Sequence, residues 1–166
     1  MKPTIIIGID PGLDGGIATI YGGGDIGVSA MPSFVKQPNK KRLFDEDTIS
    51  DLLWGDHAEN TFHAFVEKAQ AMPNQGCVSM FNYGVGFGLL RGVLAAYKMP
   101  YTLVPPRTWQ KHFGISGKKG NTKAQSIAIA KELFPDVNLF RTPRCKKEHD
   151  GMADSLLIAE YGRQTL

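Results

Sequence analysis

Four carboxylates set the chemistry that this 166-residue chain can be read for. Asp150 and Asp154 stand four residues apart in KEHDGMADSLLIAEYG (147–162). At about 100° per residue both fall on one side of a helix. Leu157, Ile158 and Tyr161 lie on that same stripe, which should face a core. Like charges at this spacing repel even on a wet surface, and unpaired carboxylates turned toward a low-dielectric interior cost far more or become neutral. Something must compensate them. Asp10 ends the apolar run TIIIGID (4–10), and Glu67 ends HAFVE (63–67). Four acids with no cysteine and at most one histidine, His149, form a hard, oxygen-rich donor set suited to Mg²⁺ or Mn²⁺. Two such ions about 4 Å apart serve phosphodiester hydrolysis.

Taken singly, the acids other than Asp154 have ready ordinary explanations. Asp10 before Pro11-Gly12 is a turn residue, as is Asp14. Glu67 beside Lys68 makes a rim ion pair, Asp150 answers a helix dipole, and His149 begins a helix. Asp154 resists this treatment, because it sits a full turn into the helix on the apolar face. Taken together, the four require elements that bring them to one place.

Those elements follow from periodicity and turn chemistry. TIIIGID, GGIATIY (15–21) and DIGVSAM (25–31) read as three antiparallel strands, with Gly22–Gly24 between the last two. PSFVKQPNKKR (32–42) reads as a polar loop. Residues 45–54 suit a capped amphipathic helix, 63–67 a fourth strand, 75–98 a long helix and 100–104 a fifth strand. Helices follow at 105–113, opened by proline, at 122–134, and in the terminal acidic segment. The order βββαβαβ followed by helices predicts an α/β fold: a mixed five-stranded sheet, three antiparallel strands extended by βαβ crossovers, flanked by helices. Ligand sites in such sheets lie beyond the strand ends, where Asp10 and Glu67 stand. In the first strand Asp10 shares a face with Ile6 and Gly8, so a small residue leaves room for the last helix to lie against the sheet.

The length suits one domain over residues 1–166. Cys77 and Cys145 stand far apart with no CxxC partner, which predicts neither a disulfide framework nor a zinc site and favours a reducing cytoplasm. A strand at the start predicts no leader peptide, and residues 77–97, broken by Asn82, Arg91 and many glycines, make a poor membrane span. Net charge is +3, unevenly spread: residues 1–104 hold 8 Lys/Arg against 10 Asp/Glu, and residues 105–166 hold 11 against 6. A basic C-terminal part suits a phosphate backbone, though basic surface is often merely solvated. GISGKKGNTK (114–123) presents Lys118, Lys119 and Lys123 on a glycine-punctuated loop, and Arg107 and Lys111 lie one helical turn apart beside it. These five are the candidate DNA contacts. Met72, Phe81, Tyr83, Phe87 and Trp109 could insert between or stack on bases, or pack in the core. Gly84, Gly88 and Gly92 form a flat ridge for close approach by a helix, by DNA or by the protein's own sheet.

The ordered set of motifs resembles a known family. IGIDPG (7–12), FVEK (65–68) and HDGMADSLLIAEYG (149–162) are similar to the three acidic motifs of RuvC-type Holliday junction resolvases, in the RNase H-like superfamily. The C-terminal one is closest to phage-encoded members. PRTWQKHFGISGKKGNTKAQS (106–126) resembles the segment linking the fifth strand to the next helix. The resemblance implies an RNase H-like nuclease domain, a homodimer, two Mg²⁺ per active site with Mn²⁺ able to substitute, and paired symmetric nicks in a four-way DNA junction. It carries Asp10, Glu67 and Asp154 onto catalytic, metal-binding positions. The fourth position falls to Asp150, with His149 as the fallback, because the bacterial spacing lands on Gly151. Lys123 aligns with a basic position near the active site, and the glycine ridge with the dimer interface or its margin. The setting implied is a bacterial or phage-infected host cytoplasm. The alternatives are an RNase H-like nuclease for other branched DNA or RNA–DNA hybrids, a catalytically dead junction-binding module, and an ATP-binding phosphotransferase, for which the chain lacks a second phosphate loop.

Overall fold

A computed structural model describes residues 4–54, 60–70 and 76–166. Strand β1 (Thr4–Asp10) is buried along most of its length. Its alternation divides the molecule: Ile5, Ile7 and Ile9 join one core and Ile6 the other. β1 pairs antiparallel with β2 (Gly16–Ile20), which pairs antiparallel with β3 (Ile26–Ala30). On its other side β1 pairs parallel with β6 (Thr61–Glu67), and β6 with β7 (Tyr101–Val104). The sheet order is β3-β2-β1-β6-β7, the mixed five-stranded arrangement expected.

The segment read as a polar loop is instead a hairpin of its own. β4 (Ser33–Lys36) pairs with β5 (Lys41–Phe44), Phe34 opposite Leu43 and Val35 opposite Arg42. Pro38 falls in the turn, where it removes no ladder hydrogen bond. Phe34 and Val35 are about half exposed, so no apolar–polar alternation marked these strands.

Helix α1 (Glu46–Leu53) is capped by Asp45, whose carboxylate accepts from the Thr48 amide, and buries Ile49 and Leu53. With the C-terminal half of α2 (Cys77–Ala96), through Leu90 and Leu94, it covers one face of the sheet. By length and composition α2 could cross a membrane, yet its buried leucines belong to this core, and Arg91 lies over the Phe87 and Tyr101 rings. Among the described residues, the ridge of Gly84, Gly88 and Gly92 meets nothing within 4 Å, so it does not serve close packing on the protein's own sheet.

α3 (Pro106–His112), α4 (Thr122–Leu133) and α5 (Asp150–Thr165) cover the other face. α5 is buried almost all round and lies against β1 and β2. Gly8 makes this possible: a Cβ there would stand 2.1 Å from the Ser155 carbonyl oxygen and 2.3 Å from the Ala159 nitrogen. The small residue expected beside Asp10 is thus the point where strand and helix backbones touch.

Candidate active site

β1 ends at Asp10, β6 at Glu67, and α5 begins at Asp150 with Asp154 one turn inside. Asp10, Asp150 and Asp154 line one cleft of about 450 Å³ with Lys123, Ser79, Asn82, Tyr83 and the turn Gly12–Gly15. Glu67 stands beside it, within electrostatic reach of Asp10. All four predicted carboxylates are therefore brought to one end of the sheet. As placed, no three acidic, histidine or cysteine groups among the described residues close into a ready coordination shell.

The electrostatics show what the arrangement lacks. Burial, then the charges of Glu67, Asp154 and Asp150, push the Asp10 carboxyl well above its ordinary range. Glu67 rises to about 7, chiefly through burial, with Asp154 adding and the Trp109 hydrogen bond opposing. Asp154 rises to about 6 by burial; the Ser126 hydroxyl opposes this, Asp150 reinforces it and Lys123 opposes it. The Asp154 Oδ1 is buried without a hydrogen-bond partner in the structure. A buried acceptor with no donor, among carboxylates that raise one another, is short of positive charge. Lys123 supplies one at the rim, its Nζ 2.6 Å from Asp150 Oδ2. The oxygen-only donor set and the orphaned acceptor fit a hard divalent cation.

Asp150, not His149, faces the cleft. His149 is the N-cap of α5, its Nδ1 accepting from the Met152 amide at 3.3 Å, and burial lowers its pKa. Asp14 is a turn residue, as expected, but a tied one. Arg42 of β5 reaches Asp14 Oδ1 at 2.6 Å, and also donates to the Leu13 carbonyl and to Ser33 Oγ.

The five basic candidates separate. Lys123 belongs to the acidic cleft. Arg107 and Lys111 line a second cavity, of about 400 Å³, with Gln110 and Ser116. Lys118 is exposed on a 3₁₀ turn (Gly117–Lys119), and the Lys119 side chain lies outside what is described. Of the aromatic candidates, Phe81 is 71% exposed, Phe87 packs against the α1/α2 core, and Met72 lies outside the described residues.

Two of the aromatic candidates serve the acids, a role that sequence reasoning missed although it weighed core packing for both. Trp109 is fully buried and its Nε1–H donates to Glu67 Oε2 at 2.8 Å, so it positions an acid rather than stacking on a base. Tyr83 lines the cleft, and burial plus the charges of Glu67 and Asp10 raise its phenol, keeping the proton on. Ser79, Asn82 and Tyr83 recur at helical spacing, the polar stripe that could have marked this wall of α2. For Trp109 no sequence signal existed, because its partner is 42 residues away.

No family model matches the chain. It is 35% identical over 105 residues to the chloroplastic Holliday junction resolvase MOC1 of Chlamydomonas reinhardtii, a match covering 60% of this chain and 11% of that protein. The chain thus spans about a tenth of the relative's length. Thermus thermophilus RuvC in complex with a Holliday junction substrate matches with a TM-score of 0.57 at 15% identity, over 98% of this chain and 96% of that one. A second T. thermophilus RuvC structure matches at 0.51 and 14%, over 96% of each. The fold is that of RuvC, an RNase H-like fold.

Proposed function

We propose that this chain is a metal-dependent endonuclease that resolves four-way DNA junctions by paired, symmetric nicks, acting as a homodimer. The observation that carries this reading is the meeting of Asp10, Glu67, Asp150 and Asp154 at one end of a RuvC-like sheet, on a cleft with an orphaned carboxylate oxygen. The 35% identity to a junction resolvase supports the substrate class.

Asp10, Glu67 and Asp154 are the proposed metal-binding carboxylates, and Asp150 completes the set. These carboxylates would hold two Mg²⁺ ions, or Mn²⁺ in their place, which would supply positive charge to the phosphodiester and acidity to an attacking water. The protein's own groups do the rest. Lys123 meets a non-bridging phosphate oxygen at the rim, its ammonium already held over the cleft by Asp150. Tyr83, kept protonated, donates a hydrogen bond toward the same anion. Trp109 orients Glu67 and leaves one of its oxygens to bind. Arg107, Lys111, Lys118 and Lys119 contact the backbone without reading sequence. Residues 1–166 act as one nuclease domain, and the free Cys77 and Cys145 suit a reducing cytoplasm.

The test is cleavage of a labelled four-way junction beside a linear duplex, a flap and an RNA–DNA hybrid, with Mg²⁺, Mn²⁺ or EDTA, for wild type and Asp154→Asn. Metal-dependent symmetric nicks in the junction that vanish in the variant support the proposal. Cleavage chiefly of hybrid or flap reassigns the substrate, and tight junction binding without cleavage leaves a binding module.

A further inference from the structure

We infer that the β4–β5 hairpin and the segment 141–147 form a second phosphate-binding surface, over which one duplex arm of a branched substrate leaves the cleft. This rests on the proposed function and extends it to a part of the chain that function does not use.

The hairpin carries Lys36, Lys40, Lys41 and Arg42 and no acid. Lys36 stands directly opposite Lys41 in the ladder, and Lys40 adjoins it at the turn. Like charges facing one another across a strand pair destabilise it. No carboxylate of the described residues pairs with any of these three lysines, and all three are exposed. Segment 141–147 repeats the pattern: Arg141, Arg144, Lys146 and Lys147 are exposed, again with no acid among them. Uncompensated repulsion in two separate segments calls for an external polyanion.

The fold joins these segments to one another and to the active site. Arg141 donates to Ser33 Oγ at 3.0 Å, and Arg42 donates to that same oxygen. Arg42 then clamps Asp14 and Leu13 on the cleft wall. Residues 138–142 lie along β3, sharing a cavity with Val28–Met31. β3 is one edge of the sheet, while α3, which carries Arg107 and Lys111, follows β7, the other edge, and shares a cavity with it through Thr108. Asp10 and Glu67 end the strands between, β1 and β6, and Asp150 and Asp154 stand on α5, which lies against β1 and β2. Five strands span about 19 Å at roughly 4.8 Å per step. Cations flanking an acidic centre at both edges match arms that diverge from an exchange point.

The test is binding of a fluorescent synthetic four-way junction, and of a linear duplex of its arm sequence, in EDTA over a range of KCl. The variants are K36A/K40A/K41A and, in the other segment, K146A/K147A, with K111A/K118A as comparison. None of the first five lysines pairs with a carboxylate or supports the core, so melting should be unchanged or raised. Each lost phosphate contact lowers the slope of log K against log salt by about 0.9. The triple variant should lose about 2.7 of slope and at least tenfold in junction affinity near 0.15 M salt, with duplex affinity changed under threefold. The double variant should lose about 1.8. Equal losses on junction and duplex would overturn assignment to a separate arm. Unchanged slopes in both variants, with K111A/K118A weakened, would overturn the surface and leave the nuclease reading intact. Wild-type binding no tighter to junction than to duplex would sink both.

Discussion

Replacing Asp154 with asparagine should stabilise the metal-free protein while destroying its response to metal. Asp154 titrates near 3.8 when unfolded and at about 6 in the fold, raised mainly by burial. A difference of about 2 units at 1.36 kcal/mol each is on the order of 3 kcal/mol. Because the folded value is the higher one, the folded state binds more protons between the two. The group's stability contribution is therefore fully present below pH 3.8 and lost as pH rises through about 6. At pH 7.5, in EDTA, wild type bears the whole cost. The neutral asparagine side chain bears none, though its amide can leave a donor unpaired, returning about 1 kcal/mol or more. A net gain of about 2 kcal/mol in a chain of this size raises Tm by roughly 4–8 °C. The assay is thermal unfolding followed by circular dichroism at pH 7.5 and pH 4, each with EDTA or excess Mg²⁺. The Tm gap between variant and wild type should be widest at pH 7.5 in EDTA and nearly close at pH 4. Mg²⁺ should raise wild type by about 2.7 kcal/mol at a hundredfold excess over Kd, and the variant far less. Two results would refute the reasoning. If D154N melts below wild type at pH 7.5 in EDTA, the buried charge is already compensated. If Mg²⁺ raises both proteins equally, α5 contributes nothing to cation binding.

Gly8→Ala should cost about 3 kcal/mol or more in urea unfolding, because its Cβ meets backbone atoms of Ser155 and Ala159 that cannot yield without lifting α5 from β1. Activity should fall further than the unfolded fraction explains, since Asp154 moves with the helix. Trp109→Phe removes the counterweight that the tryptophan N–H exerts on Glu67, so that carboxyl should titrate above about 7. The acidic limb of the cleavage–pH profile should move to higher pH, with a stability loss of about 1–2 kcal/mol. Tyr83→Phe keeps the ring and removes a hydroxyl that faces Asp10 and Glu67. Single-turnover cleavage should slow about tenfold with Tm unchanged, and an unchanged rate would remove Tyr83 from the reaction.

The acids and their elements were legible in the sequence because each depended on local pattern. The β-branched run before Asp10, the alternation ending at Glu67 and the i, i+4 placement of Asp150 and Asp154 are properties of single strands or helices. Gly8 announced the close approach of α5 because only one neighbour along the strand separates it from Asp10 on the same face. The β4–β5 hairpin was not legible, since Phe34, Val35 and Lys36 of β4 are all exposed, only Phe44 at the end of β5 packs against the core, and lysines stand where a buried strand would alternate. Tertiary structure alone decided that His149 caps α5 while Asp150 turns into the cleft, a choice set by helix phase against the sheet. It also decided that Trp109 serves Glu67, that Tyr83 faces the acids, and that Arg42 reaches Asp14 across 28 residues. Those contacts join residues far apart in the chain. Periodicity reports which face of an element is buried, but not which distant side chain will be waiting there.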